Sequence, residues 1–129
     1  MSLHGLGHAL VLTDDLEATR DFYCDVLGFE LGERPTLPFP GYWLYLDGVA
    51  CLHVAERAAY EAELDRMGLA RANGPVDHLA FDARDDDEAV RARLDAAGVR
   101  VVTNDVPTAG LRQLFLDDPN GVRIEVNVR

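Results

Sequence analysis

The sequence predicts an α+β fold in which one unit, a strand, a helix and three further strands, occurs twice. Three observations predict it. His8 and His78 each open a short apolar strand and stand 20 residues before a helix-ending glycine, Gly28 and Gly98. Three strand-like stretches follow each glycine. A turn signal divides the last two strands of each half, Asp47-Gly48 in the first and Asp118-Pro119-Asn120-Gly121 in the second. A repeat of this kind sets the architecture before any motif is read.

The first half begins with His8-Ala9-Leu10-Val11-Leu12 as a strand. Thr13-Asp14-Asp15 then starts a helix whose apolar stripe is Leu16, Thr19, Phe22, Tyr23, Val26 and Leu27. Phe29 to Arg34, Tyr42 to Leu46 and Val49 to Ala55 follow as strands, with the last two expected to pair. The stretch from Pro35 to Pro40 holds three prolines and reads as an extended loop. Residues 56–74 are rich in Ala, Glu and Arg, with Tyr60, Leu64 and Met67 at helical spacing before Gly74-Pro75, and read as a helical connector. In the second half His78-Leu79-Ala80-Phe81 is a strand. Asp85-Asp86-Asp87-Glu88 suits a helix N-terminus, and Ala89, Val90, Leu94 and Ala97 carry the helix to Gly98. Arg100 to Thr103, Gln113 to Leu116 and Arg123 to Val128 complete the repeat. The division is thus one domain over 1–129, with module one at about 4–55, the connector at about 56–75 and module two at about 76–129.

Composition narrows the function. A chain of 129 residues has room for one domain, and its net charge of −11 disfavours a grip on nucleic acid or on anionic lipid. No apolar run reaches the roughly 20 residues that span a bilayer, and Met1-Ser2-Leu3-His4-Gly5 lacks the basic-then-apolar shape of a signal peptide, so a cytoplasmic protein is expected. Cys24 and Cys51 lack Cys-x-x-Cys spacing and are expected as buried free thiols.

Alternate residues of a strand share a face, so His8 goes with Leu10 and Leu12, and His53 with Cys51. His78 faces away from Leu79 and Phe81, while Glu125 shares its face with Arg123 and Asn127. If helices cover one side of the sheets, His8, His53, His78 and Glu125 lie on the other. First and last strands of each half carry one such residue apiece. Three imidazoles and a carboxylate suit a divalent transition metal, Zn, Ni, Fe, Mn or Co, better than calcium, which wants more oxygen ligands. A single strand histidine is more often structural than ligating, so the weight rests on the repetition. His4 is left over as an exposed residue.

The arrangement resembles the vicinal oxygen chelate superfamily of glyoxalases, epimerases, ring-cleaving dioxygenases and antibiotic-resistance proteins. The likeness is carried by His8 through Leu16, by Phe22-Tyr23-Cys24-Asp25-Val26-Leu27-Gly28-Phe29, by Val76-Asp77-His78-Leu79-Ala80-Phe81, and by Phe115-Leu116-Asp117-Asp118-Pro119-Asn120-Gly121 with Ile124-Glu125. It implies paired βαβββ modules forming an open barrel around a metal, with His8, His53, His78 and Glu125 at the ligand positions. Some members use three protein ligands, which would leave His53 as a general base or pocket wall. In several members modules combine across a homodimer, so a homodimer is expected, with the site inside one subunit or shared.

Departures from particular subfamilies narrow the chemistry. Glutathione-using glyoxalases carry an arginine where this chain has Leu12, which disfavours lactoylglutathione. Ring-cleaving dioxygenases have a tyrosine and an upstream histidine where this chain has Phe115 and Val106-Pro107-Thr108. The acidic charge disfavours the phosphonate handled by fosfomycin-modifying relatives. What remains is capture of a small carbonyl or hydroxy-carbonyl substrate through neighbouring oxygens, with the metal polarising the carbonyl and Glu125 or His53 moving the proton. The expected pocket is apolar and aromatic, from Leu10, Leu12, Phe39, Trp43, Tyr45 and Phe115. A glyoxalase-like lyase or isomerase is the first expectation. An Fe(II)-dependent dioxygenase on His8, His78 and Glu125, and a non-catalytic drug-binding resistance protein, are the alternatives.

Overall fold

A computed structural model describes all 129 residues, as two compact units, 1–73 and 74–129. The fold is α+β, and each unit holds one four-stranded mixed sheet.

In the first unit β1 (Ala9–Thr13) is followed by α1 (Leu16–Asp21), a π-helical turn (Phe22–Val26), β2 (Glu30–Gly32), β3 (Gly41–Leu46), β4 (Val49–Glu56) and α2 (Arg57–Met67). The spatial order is β1-β4-β3-β2, with β1 parallel to β4 and the other pairs antiparallel. Asp15 caps α1 by accepting a hydrogen bond from Ala18 N at 3.0 Å. Thr13 and Thr19, both fully buried, tie the end of β1 to the helix, their hydroxyls 2.9 Å apart. The helix expected to run unbroken to Leu27 widens in its last turn, where Leu27 N donates to Phe22 O, five residues back, at 3.3 Å. That turn packs Phe22 and Tyr23 into the core, with Tyr23 edge-on to both Phe22 and Phe29. Gly28, at φ 80°, reverses the chain where a side chain would be strained.

The hairpin at Asp47-Gly48 has positive φ at both residues, 50° and 77°, the conformation of a primed turn. Residues 69–74 of the expected helical connector lie outside any helix. α2 ends at Met67 because Gly68 takes a left-handed conformation, six residues before the Gly74-Pro75 signal. Both thiols are free, but they are half-buried rather than buried.

The second unit repeats the scheme with β5 (His78–Asp82), α3 (Asp87–Ala96), β6 (Val102–Val106), a single 3₁₀ turn (Pro107–Ala109), β7 (Leu111–Asp117) and β8 (Arg123–Val128). Its order is β5-β8-β7-β6, again with the first and last strands parallel. Asp86 caps α3 through Ala89 N at 2.9 Å, and Asp87 and Glu88 occupy the first turn, as the acidic run predicts. Only Leu94 of α3 is fully buried, with Val90 half-buried and Ala89 and Ala97 exposed. β6 begins two residues later than the sequence suggests and is exposed for most of its length, since an edge strand needs no apolar face. Asp118 organises the turn before β8, its Oδ1 accepting from Asn120 N at 2.7 Å and Val122 N at 2.9 Å.

Each sheet buries one face. In the first unit Val11, Leu44, Leu52 and Val54 are buried, and in the second Leu114, Leu116, Ile124, Val126 and Val128. The candidate residues fall on the opposite faces.

Candidate metal centre

The parallel pairing of first and last strands decides what meets what. Leu10 pairs with His53, and Ala80 pairs with Glu125. His8 and His78 each stand two positions upstream of that paired residue, so His8 relates to His53 as His78 relates to Glu125. The repeat seen in the sequence is therefore a repeat in register. His8 lies just before β1 rather than within it, because the ladder begins at Ala9.

In the first unit the two imidazoles stack, with ring centroids 3.9 Å apart and planes within 12°. Trp43, the cross-strand partner of His53, stacks on the other side of His53 at 4.1 Å and 10°. His53 is thus held between two rings, which leaves its orientation little freedom. Burial holds its pKa below the ordinary imidazole value, and the neighbouring His8 and Arg34 add to this, while a hydrogen bond to the Ala50 backbone offsets part of it. The ring is neutral at neutral pH, the form that binds metals or accepts a proton.

In the second unit the geometry is tighter. His78 Nε2 lies 3.1 Å from Glu125 Oε2, and His78 Nδ1 lies 2.9 Å from Asp77 Oδ1. Arg123 holds Asp77 by donating from Nη1 to both carboxylate oxygens at 3.0 and 3.1 Å. The carboxyl of Asp77 is kept below the usual range first by its bond to His78 and then by Arg123. Glu125 is only 5% exposed, and its Oε1 accepts from Gln113 Nε2 at 2.9 Å. Gln113 Oε1 in turn accepts from Asn104 Nδ2 at 2.7 Å, which fixes the direction of the amide.

Does a metal suit these side chains? With the Nδ1 proton given to Asp77, Nε2 presents a lone pair toward a carboxylate oxygen. Two acceptors at that distance need a shared proton or a cation. Two ligands each about 2.0–2.2 Å from one tetrahedral zinc stand roughly 3.3 to 3.6 Å apart, and Nε2 and Oε2 at 3.1 Å need to part only slightly to reach that separation. The donor set fits a divalent transition ion. Neither unit by itself gathers three or more His, Cys, Asp or Glu side chains around one point.

The expected pocket residues divide between the units. Leu10, Trp43 and Tyr45 share the face of His53, and Leu12 lies further along it. Tyr45 lies across Gly32, where any Cβ would collide with its ring, and its hydroxyl donates to Glu33 O at 2.5 Å. Phe39 packs edge-on against Tyr60 of α2, with Arg34 over its ring. Phe115 stands alone in the second unit, edge-on to His78 at 6.2 Å. It walls a cleft of about 360 Å³ lined also by Val99, Arg100, Val102, Leu116, Asp117 and Arg123.

Sequence reasoning assigned no role to Asp77, Gln113, Asn104 or Arg123. Two signals were there: a carboxylate immediately before a candidate ligand histidine, and a glutamine immediately before the apolar run Leu114-Phe115-Leu116. No helix is long and apolar enough to cross a membrane.

Comparison with known proteins agrees with the fold. "Glyoxylase I 4" of Arabidopsis thaliana is 31% identical over 130 aligned residues, covering 98% of this chain and 71% of that protein. A 2,2',3-trihydroxybiphenyl dioxygenase of Sphingomonas paucimobilis is 32% identical over 90 residues, 70% of this chain and 28% of that protein. The crystal structure of lactoylglutathione lyase from Agrobacterium tumefaciens superposes with a TM-score of 0.76 at 21% identity, covering 98% of this chain and 95% of that one. The family model for the Glyoxalase/Bleomycin resistance protein/Dioxygenase superfamily matches residues 5–126, and the chain belongs to that superfamily.

Proposed function

We propose that the protein is a metal-dependent lyase or isomerase of glyoxalase type, drawing its ligands from His8, His53, His78 and Glu125. Its substrate would be a small carbonyl or hydroxy-carbonyl compound with an apolar body, held through neighbouring oxygens. The observation that carries this is the His78–Glu125 pair, a ring nitrogen and a carboxylate oxygen 3.1 Å apart, with the other ring nitrogen 2.9 Å from Asp77 Oδ1.

When bound, the ion supplies a Lewis acid that polarises a carbonyl and stabilises charge on the adjacent oxygen. The chain's residues do the rest. Gln113 holds Oε1 of Glu125, so Oε2 would serve the ion or, when released from it, take a proton from the substrate and return it at the neighbouring carbon. His53, neutral and fixed between two rings, is the second base available. Phe115, Val99 and Val102 would receive the apolar body of the substrate in the cleft, which Arg100, Asp117 and Arg123 also line. The protein is proposed to act as a cytoplasmic homodimer.

The test is elemental analysis of protein purified without a metal-binding tag, followed by turnover of 2-oxoaldehyde and hydroxy-carbonyl substrates before and after chelation. Loss on chelation, recovery with Zn, Ni, Co, Mn or Fe, and loss in His78→Ala are expected. Equal turnover by demetallated His78→Ala protein would refute the reading. A second reading, an Fe(II)-dependent dioxygenase, is favoured by the likeness to the trihydroxybiphenyl dioxygenase. Oxygen uptake with a catechol separates the two.

A further inference from the structure

We infer that Asp77, braced by Arg123, is a positioning residue that fixes the tautomer and aim of the His78 imidazole and thereby sets the affinity of the His78–Glu125 pair for a divalent ion. The inference rests on the metal reading above.

The imidazole of His78 has a carboxylate on each nitrogen, and both are referred to the same strand. β8 carries Glu125, which faces Nε2, and two residues away on the same face Arg123, which clamps the carboxylate on Nδ1. Arg123 is also the cross-strand partner of His78. One register therefore sets both ends of the ring. Asp77 lies just before β5, outside the strand alternation, so its side chain reaches round to the neighbouring ring instead of turning to the opposite face.

Stability does not account for this placement. Asp77 and Arg123 are exposed, at 63% and 53%, and an exposed ion pair adds little to folding. What the carboxylate does in this position is accept the Nδ1 proton, which leaves Nε2 bare on the side of Glu125. Without it, either tautomer is open to His78, and the one with its proton on Nε2 would give that proton to Glu125 and close the pair to a cation. Arg123 stops the Asp77 carboxylate from swinging into solvent. It also spends only Nη1 in doing so.

The experiment measures Zn(II) affinity by chelator competition for the full chain and for Asp77→Ala, Asp77→Glu, Arg123→Gln, His78→Ala and the surface control Asp95→Asn. Proton positions on His78 are read by ¹⁵N NMR of the metal-free chain at alkaline pH, where an imidazole carries one proton, and thermal melts report folding. Asp77→Ala should weaken Zn(II) about 10- to 100-fold, the usual cost of losing an outer partner of a ligand histidine. Arg123→Gln should move in the same direction by less, Asp77→Glu should recover most of the loss, and Asp95→Asn should change nothing. The ¹⁵N signals should place the proton on Nδ1 in the wild type and shift it toward Nε2 in Asp77→Ala, with melting unchanged. A loss below tenfold, or an unmoved tautomer, overturns the inference while leaving the metal reading intact, provided the wild type binds Zn(II) and His78→Ala does not. If the wild type fails to bind Zn(II), both fall.

Discussion

His78 Nε2 and Glu125 Oε2 stand 3.1 Å apart although the two residues are not cross-strand partners. Glu125 pairs with Ala80, and the histidine reaches it diagonally from two positions upstream. The same diagonal joins His8 to His53 in the first unit, where it produces a ring stack instead of a nitrogen–carboxylate contact. Identical backbone relations thus deliver different chemistry, because one partner is an imidazole and the other a carboxylate.

His53→Ala should weaken metal binding by more than the Asp77→Ala loss, because a ligand contributes directly to the ion while an outer partner contributes through one. Calorimetric titration with Zn(II) checks the order. A variant that keeps full affinity but loses turnover would instead make His53 the base.

Trp43 is the single tryptophan and lies 4.1 Å from the His53 ring, so its fluorescence should follow the charge on that ring. Imidazolium quenches indole, and burial holds His53 below the usual value. Emission should therefore fall on acidification with a midpoint below about pH 6.5. His53→Ala should abolish the step.

Metal affinity should decline with acidification, since an imidazole must be deprotonated to bind. The contribution of His53 should persist to lower pH than an ordinary imidazole would allow, about pH 6.5, because burial holds that ring low. Binding titrations across pH 5 to 8, a range of about three units around that value, provide the check.

Asp105 and Arg112 give a pH-dependent contribution to stability of known sign. The hydrogen bond from Arg112 at 2.7 Å keeps the Asp105 carboxyl below its usual range, and Arg112 also donates to Asp87 at 2.8 Å. A depressed carboxyl stabilises the fold above its unfolded value and loses that contribution as pH falls through the folded one. The difference in melting temperature between wild type and Asp105→Asn should be constant above about pH 5 and shrink below about pH 4.

Ile124 is fully buried beside Glu125, with Leu79 and Leu116 as cross-strand partners. Ile124→Ala should cost about 2–5 kcal/mol through lost contacts and the cavity left behind. Urea unfolding measures it. Because the side chain points away from Glu125, Zn(II) affinity of the folded fraction should be unchanged.

The repeat, the element order and the four candidate ligands were legible in the sequence because they rest on short-range rules. Glycines at matched distances stop helices, Asp47-Gly48 turns a hairpin, and alternation assigns His53 and Glu125 to the face opposite Leu52 and Ile124. Exposed edges were less legible. β6 carries no apolar face to mark it, and α2 stops at a glycine that looks like any other until its left-handed conformation is seen. The hydrogen-bond partners of the candidate residues were set by the tertiary structure alone. Asp77 is next to His78 in the chain, yet its purpose depends on Arg123, 46 residues away, and Glu125 is aimed by Gln113 on a different strand. Local pattern decides which residues face the site, whereas hydrogen-bond direction depends on which strands lie side by side and in what register, and no local pattern encodes that.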